Sequence, residues 1–396
     1  MFDALEKHLT RRKFLKTAGR GLVVGGIMTE ALVNPAFAQI SAPTEDQSAQ
    51  RAVAARAPIP PEKRVGWAIV GLGELSLGQL LPAFSQCKKS KPVALVSGHL
   101  DKAQQVASLY GINQKNIYNY QNYDAIRNNP EVDIIYIVLP NSMHAEYTIR
   151  GARAGKHIMC EKPMANTTQE CQAMIDACRR ANRKLMIAYR AQYEPYNQAA
   201  IQMVRSQRFG PTQMIVAEIS QNMDDPNQWR LKKALAGGGS LVDIGIYCLN
   251  ATRYLTGEEP VEISAMTYST PGDPRFREVE ENINFMLRFP SGVLANCMSS
   301  YGANRVTRYR VFAADGWVEL DPATAYSGIQ MRVGHKDDIE QPQLQEVNQF
   351  AKEIDHMSEC VMANKQPMTP GEEGLRDIRL IQTIYEAAQS GKKIKL

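Results

Sequence analysis

The stretch that most limits what this chain can become is His157 to Ala165, HIMCEKPMA, where an apolar strand end runs directly into a Glu-Lys-Pro turn. A lysine in that position stands at the lip of a sheet, where ligands of open α/β folds collect. Lysine loses its charge readily when desolvated, so Lys162 can hold a substrate hydroxyl or tune a neighbouring acid. A surface lysine before a strand-ending proline is the plainer reading of the same residues, and the surrounding sequence has to decide between the two.

Upstream, Trp67-Ala68-Ile69-Val70 is a short β-prone run that breaks into Gly71-Leu72-Gly73-Glu74-Leu75-Ser76-Leu77-Gly78, with a helix expected to follow. The first glycine permits a tight turn, and the second lets backbone approach a pyrophosphate that the helix N-terminus stabilises. Ser76 occupies the place of the third glycine, so helix-strand packing must accept a small polar side chain. A second strand, Val93 to Val96, ends at Ser97, where an NAD-specific site would carry an acid on the ribose 2′-hydroxyl. With Ser97 there and Lys102 near the start of the next helix, the pattern favours NADP; the alternative is a loop serine and a solvated lysine. Val132 to Leu139 is a near-continuous apolar run of the kind buried on both faces of a parallel sheet. It ends in Pro140-Asn141-Ser142-Met143-His144, with Asn141 expected to cap the next helix and His144 in its first turn beside the cofactor crevice. A helix from about 168 to 182 and a strand from 184 to 189 complete an α/β dinucleotide-binding domain over 65–190.

From Glu194 the texture changes. One helix and a strand over 211–219 lead through an irregular stretch with Trp229-Arg230 to Gly237-Gly238-Gly239-Ser240 and a helix over about 241–255. That helix carries Asp243 and Tyr247, four apart and therefore on one face. A capping carboxylate and a core tyrosine would explain the pair equally well at this stage. Five β-prone runs follow, 261–269, 281–289, 293–300, 305–313 and 316–320, which read as a large, mostly antiparallel sheet. Helices over about 343–363 and 372–389 close an α+β domain spanning 191–396, with those helices free to pack back on the first domain.

Length and composition agree with two soluble domains. Of the formal charge of +5, the first 38 residues supply six Lys/Arg against three Asp/Glu, and the near-neutral remainder excludes a nucleic-acid surface. Seven scattered cysteines in apolar runs read as buried thiols, and six unclustered histidines give no metal site. Thr10-Arg11-Arg12-Lys13-Phe14-Leu15-Lys16, the apolar stretch 21–33 and Ala36-Phe37-Ala38 form a twin-arginine export signal over 1–38. Its hydrophobic run is too short and glycine-rich to remain as a membrane span. The expected location is the periplasm. Residues 39–64, ending in Pro58-Ile59-Pro60-Pro61, have no apolar periodicity and form an extended arm, a loose linker or a strap across a neighbouring subunit.

Taken together, the glycine turn, LVSG at 95–98, LPNSMHAE at 139–146, MCEKPMA at 159–165, QWRL at 228–231, AGGGSLVDIGIY at 236–247 and GEEGLRDIRLIQ at 371–382 resemble the Gfo/Idh/MocA family of sugar-linked dehydrogenases. The likeness is strongest to its glucose-fructose branch and covers essentially the whole chain. It implies a Rossmann domain with tightly bound NADP, sugar substrates and a homo-oligomer, dimer or tetramer. It makes Lys162 the substrate-orienting lysine, Asp243 its partner and Tyr247 the acid/base, where most of the wider family has histidine. It adds Glu74, Leu75, Pro140, Glu161, Lys162 and Arg190 as cofactor contacts beside Gly71, Gly73, Ser97, Lys102, Asn141 and His144. Tyr193, Trp229 and Arg230 become sugar-contacting candidates, the last two also near the cofactor. The implied reaction takes an aldose such as glucose to its lactone and a ketose such as fructose to an alditol. An NADP-dependent aldose dehydrogenase, an aldose-aldose oxidoreductase and an exported sugar-binding module are the alternatives.

Overall fold

The computed structural model describes residues 64–396. The expected signal over 1–38, and all of the 39–64 arm except Arg64, lie outside the described residues.

The first sheet is parallel, with strands β1 (Val65–Val70), β2 (Ser90–Val96), β3 (Ile117–Tyr118), β4 (Ile134–Ile137), β5 (His157–Glu161) and β6 (Leu185–Ala188) in the order β3-β2-β1-β4-β5-β6. This is the dinucleotide-binding Rossmann order, and its reversal between β1 and β4 opens a crevice at the carboxyl ends of the strands. A π-helical turn, Ser76–Leu80, runs into Leu81–Ala83 and together they form α1; α2 (Leu100–Tyr110), α3 (His144–Arg153) and α4 (Thr168–Arg180) follow. Thr167 and Glu170 cap α4 reciprocally, each side chain bonding the other's backbone N–H. All four residues of β4 are fully buried, as the apolar run implied, although the ordered strand is shorter than 132–139.

The second domain begins with α5 (Pro195–Arg205) and β7 (Thr212–Ser220), then a short α6 (Lys233–Ala236). Next, a π turn, Leu241–Gly245, continues as Ile246–Thr256, and the two make α7, which Gly257 ends in the left-handed conformation at φ 74°. Strands β8 (Glu262–Tyr268), β9 (Asn282–Arg288), β10 (Leu294–Ser300), β11 (Val306–Ala313), β12 (Gly316–Leu320), β13 (Met331–His335), β14 (Asp338–Glu340) and β15 (Ile394–Lys395) join β7 in one nine-stranded sheet. Every pairing in it is antiparallel except β7 with β10. Strand alternation puts Ile283, Phe285 and Leu287 of β9 under α7 and α9 and leaves Met286 on the open face.

Helices α8 (Gln349–Met362) and α9 (Gly371–Ser390) return to the first domain. Helix α8 lays Phe350, Ile354 and Met357 on one face of the parallel sheet, against Trp67, Tyr136 and Met186. It starts later than the expected 343, because Asn348 accepts from Ala351 N–H and caps it there. Helix α9 covers the opposite face with Leu375, Ile378 and Ile381, in a core continuous with α4 and α7. Each such side chain contributes roughly 1.5–3 kcal/mol on burial. The short strands β3, β13, β14 and β15 were not anticipated from sequence; each is five residues or fewer and carries too little periodicity to read. All seven cysteines are free and buried.

One ionic cluster fixes α7 to α9. The Arg253 guanidinium, 3% exposed, bonds Asp377, Glu373 at 3.1 Å and Glu259 at 2.7 Å. Replacing it with methionine strands buried carboxylates without their cation. Arg253→Met is expected to lower unfolding free energy by about 3–5 kcal/mol in urea titrations; a loss below about 1 kcal/mol would mean this cluster does not hold α7 in place.

Candidate active site

Register places the site. Val70, Ile137, Cys160 and Ile187 lie in one row across β1, β4, β5 and β6, so Gly71, Val138, Glu161-Lys162 and Ala188-Tyr189 share the carboxyl edge. Neighbouring strands are ~4.8 Å apart, which brings Lys162 within about two strand widths of the glycine turn.

Gly71 has φ 94°, and a Cβ there would meet the Val138 carbonyl at 2.2 Å, so only glycine makes this turn. Gly73 is exposed, with no atom within 4 Å of where its Cβ would stand. That open ground over the turn is what a pyrophosphate needs. Ser76 is buried and donates its hydroxyl to the Gly71 carbonyl at 2.6 Å, so the residue in the third-glycine position ties the turn to α1. Glu74 is exposed and Leu75 half-buried on the same lip, and Pro140 stands half-buried at the edge after β4. At the tip of β2, Ser97 accepts from His99 N–H at 3.1 Å, and Lys102 is half-buried in the first turn of α2. No carboxylate occupies the tip of β2. These residues fit a dinucleotide whose ribose carries a phosphate.

Lys162 reaches from the end of β5 to the π turn of α7. Its Nζ donates to the Asp243 backbone carbonyl at 2.7 Å and to Asp243 Oδ1 at 3.2 Å, and lies 4.9 Å from the centroid of the Tyr247 ring. Asp243 Oδ2 accepts from Tyr301 Oη at 2.8 Å and faces Arg230 Nε at 3.1 Å. Burial alone would raise the Asp243 pKa, but Lys162, Arg230 and the Tyr301 hydroxyl hold it well below the usual carboxylate range. Burial would likewise lower Lys162; Asp243, Tyr247 and Glu161 keep it above its ordinary value. Asp243 is thus a bonded anion with no capacity left to act as a base near neutral pH. Tyr247 is half-buried one turn on.

Other expected contacts fall elsewhere. Asn141 does not cap α3; its amide is buried and donates to the Ala236 carbonyl at 2.9 Å, tying the β4 edge to the segment before the glycine-rich lead. His144 is fully buried, with ring nitrogens 2.9 Å from the carbonyls of Pro163 and Leu139, so neither is presented to the crevice. Burial also pulls its pKa down. Tyr193 is not a sugar contact: 5% exposed, it packs on His356 and bonds Thr369 Oγ1 at 3.1 Å beneath α8. Glu161 turns its carboxyl inward to the Tyr136 hydroxyl at 2.7 Å. Arg190 is buried against α8, bonding Gln349 Oε1 at 2.6 Å and the Thr324 carbonyl at 2.7 Å, with its guanidinium 5.0 Å from the Tyr247 ring centroid. Both side chains are thus committed to partners within the protein. Trp229 and Arg230 do reach the cleft, the guanidinium lying 4.6 Å from the indole centroid while it bonds Asp243. Tyr301 had no sequence signal: it lies 58 residues from Asp243 and meets it only because β10 passes the π turn.

Comparison with known proteins agrees with this fold. The family model for oxidoreductases with an NAD-binding Rossmann fold matches residues 65–189, and that of the GFO/IDH/MocA C-terminal domain matches 197–319. A solved aldose-aldose oxidoreductase from Caulobacter crescentus is 49% identical, with a TM-score of 0.83 over 84% of this chain and 100% of that one. A D-xylose 1-dehydrogenase [NADP(+)] of Haloarcula marismortui is 29% identical over 84% of this chain and 93% of its own length. A second D-xylose 1-dehydrogenase, from Haloferax volcanii, is 27% identical over 83% of this chain and 98% of its own.

The depressed Asp243 pKa fixes a pH signature. Its ion pair contributes stability that is present above the unfolded aspartate pKa of about 3.9 and lost as pH falls toward the lower folded value. The destabilisation caused by Lys162→Met, measured by urea unfolding across pH, should therefore be full above about pH 5 and shrink below about pH 4. A difference independent of pH would contradict the pairing.

Proposed function

The chain belongs to the Gfo/Idh/MocA oxidoreductase family, and from that membership we propose that this NADP-dependent sugar oxidoreductase is an exported enzyme that oxidises an aldose at C1 and returns the hydride to a second sugar. The observation that carries the reading is the Lys162 contact, which joins Asp243 and Tyr247 at the edge beside the glycine turn.

Lysine has three donor protons, and two are committed to Asp243, leaving one to aim at a sugar hydroxyl. That hydrogen bond orients C1 and lowers the cost of removing the hydroxyl proton, which Tyr247 takes as general base. Bound NADP supplies the hydride acceptor and donor. The C1–H and O–H bonds break to leave a lactone carbonyl, and in the return half Tyr247 gives its proton to the oxygen of the second sugar's carbonyl. Tyr247 thus carries the proton from the first sugar to the second, with its ring 4.9 Å from Lys162 Nζ and 5.0 Å from the Arg190 guanidinium.

The 49% identity to an aldose-aldose oxidoreductase favours a second aldose as the acceptor. The segments QWRL and AGGGSLVDIGIY, with their likeness to the glucose-fructose branch, favour a ketose as the second reading. Export supports a closed cycle in either case, since no ordinary dinucleotide pool exists outside the cytoplasm to renew a free cofactor. The open face of the nine-stranded sheet exposes Met266, Tyr268, Met286, Leu294 and Met298, an apolar surface that supports a homo-oligomer.

Incubating the purified protein with carbon-13-labelled glucose and unlabelled fructose distinguishes the acceptors. Labelled sorbitol alongside labelled gluconate supports an aldose acceptor; unlabelled sorbitol means a ketose acceptor, and neither product removes the glucose reading. Lys162→Met should lower turnover at least about a hundredfold, and activity within a few fold of wild type would remove it from the chemistry. Ser97→Asp should weaken NADP relative to NAD by about tenfold or more in binding titrations, and an unchanged ratio would place the 2′-phosphate elsewhere.

A further inference from the structure

Beneath Lys162 lies a set of buried acids that the reaction above does not use. Glu161 Oε1 accepts from the Tyr136 hydroxyl at 2.7 Å. Glu353, on α8 and fully buried, has Oε1 3.4 Å from the same hydroxyl, while its Oε2 is buried with no hydrogen-bond partner. The groups facing the two carboxyls are Tyr136 of β4, Lys162 after β5, Arg190 and Tyr193 before α5, and Tyr326 after β12. Neither cation donates to them: Lys162 bonds Asp243, and Arg190 bonds Gln349, Thr324 and Ala325. The Tyr193 hydroxyl is engaged with Thr369.

A phenolic hydroxyl has one proton and can donate to only one acid. Two ionised carboxylates sharing it would repel, and the orphaned oxygen of Glu353 would be a bare charge in the core. Each of the three groups has a partner when Glu353 donates its proton to the Tyr136 oxygen and Tyr136 donates to an anionic Glu161, the acid nearer the hydroxyl and the one that faces both Lys162 and Arg190. We propose that Glu353 is a neutral acid at neutral pH and that, through Tyr136, it positions Glu161 as the anionic counter-ion beneath Lys162 and Arg190. Burial raises the pKa of both carboxyls, Glu353 the further, which agrees with the proton residing there. With a single anion below, Lys162 keeps its ammonium charge and Arg190 keeps its place against Tyr247.

The part that concerns turnover rests on Lys162 acting on a sugar; the location of the proton does not. Infrared difference spectra at neutral pH test it directly. An un-ionised carboxyl band in the wild type, lost in Glu353→Gln, is expected. A band lost instead in Glu161→Gln, or carboxylate bands alone, would overturn it. Should Glu353→Gln fail to fold, carbon-13 NMR titration of the glutamate-labelled wild type gives the same answer through a carboxyl that stays protonated at neutral pH. For the positioning role, Glu161→Gln should move the alkaline limb of kcat/KM for glucose about one pH unit lower, because Lys162 loses an anion that raises its pKa. An unmoved limb would overturn that role. Absence of wild-type sugar turnover would count against the sugar reading alone, with the spectra still deciding where the proton sits.

Discussion

The contact between Lys162 and Asp243 is the constraint on which the rest of the site depends, because it is made between two sheets that fold by different rules. The lysine ends a strand of the parallel sheet; the aspartate lies in the π turn that opens α7 on the other. A π turn widens the helix by one residue and is frequent at functional sites. Here it offers Lys162 both a backbone carbonyl and a carboxylate of the same residue. Neither domain contains a site alone.

Bringing a buried carboxylate to that junction costs desolvation energy that one ion pair rarely offsets. Asp243 instead receives Lys162, Arg230 and Tyr301 together, and their combined pull outweighs burial. The consequence is a division of labour. Asp243 remains charged and fixed and holds the Lys162 ammonium, and in the mechanism we propose the proton passes to Tyr247, whose ring lies close to two cations.

Much of this was legible in the sequence where a local pattern forces a local shape. The Gly71 turn, the apolar runs 67–70 and 132–139, and the one-face spacing of Asp243 and Tyr247 follow from steric and periodic rules that involve few other residues. The likeness to a known family, rather than any spacing, tied Lys162 to that helix. What could not be read depends on tertiary approach. Asn141 is a sound helix cap by local rules, yet α6 offers it a carbonyl that sequence proximity does not reveal. Tyr193 sits three residues past Arg190 and looks equally exposed on paper; α8, arriving from more than 150 residues later, buries it. The same return of the chain gives Arg190 its Gln349 partner and brings Glu353 across Tyr136 from Glu161.

That return also explains why acids are buried on this side of the sheet at all. Lys162 and Arg190 lie 4.9 and 5.0 Å from the Tyr247 ring centroid, and two cations without an anion below them would repel each other until the lysine lost its proton or the pair moved apart. Helix α8 closes the sheet with Phe350, Ile354 and Met357, an apolar cover in which a charge of one sign is costly. Glu161 supplies the needed anion from the strand that already carries Lys162, and Glu353 lies against it across Tyr136 from the cover itself. A leucine at Glu353 would pack well enough against such a face, but it would leave the Tyr136 oxygen without a donor and Glu161 less firmly oriented. On this view the polar group in the cover maintains the charge balance of the site more than the stability of the fold.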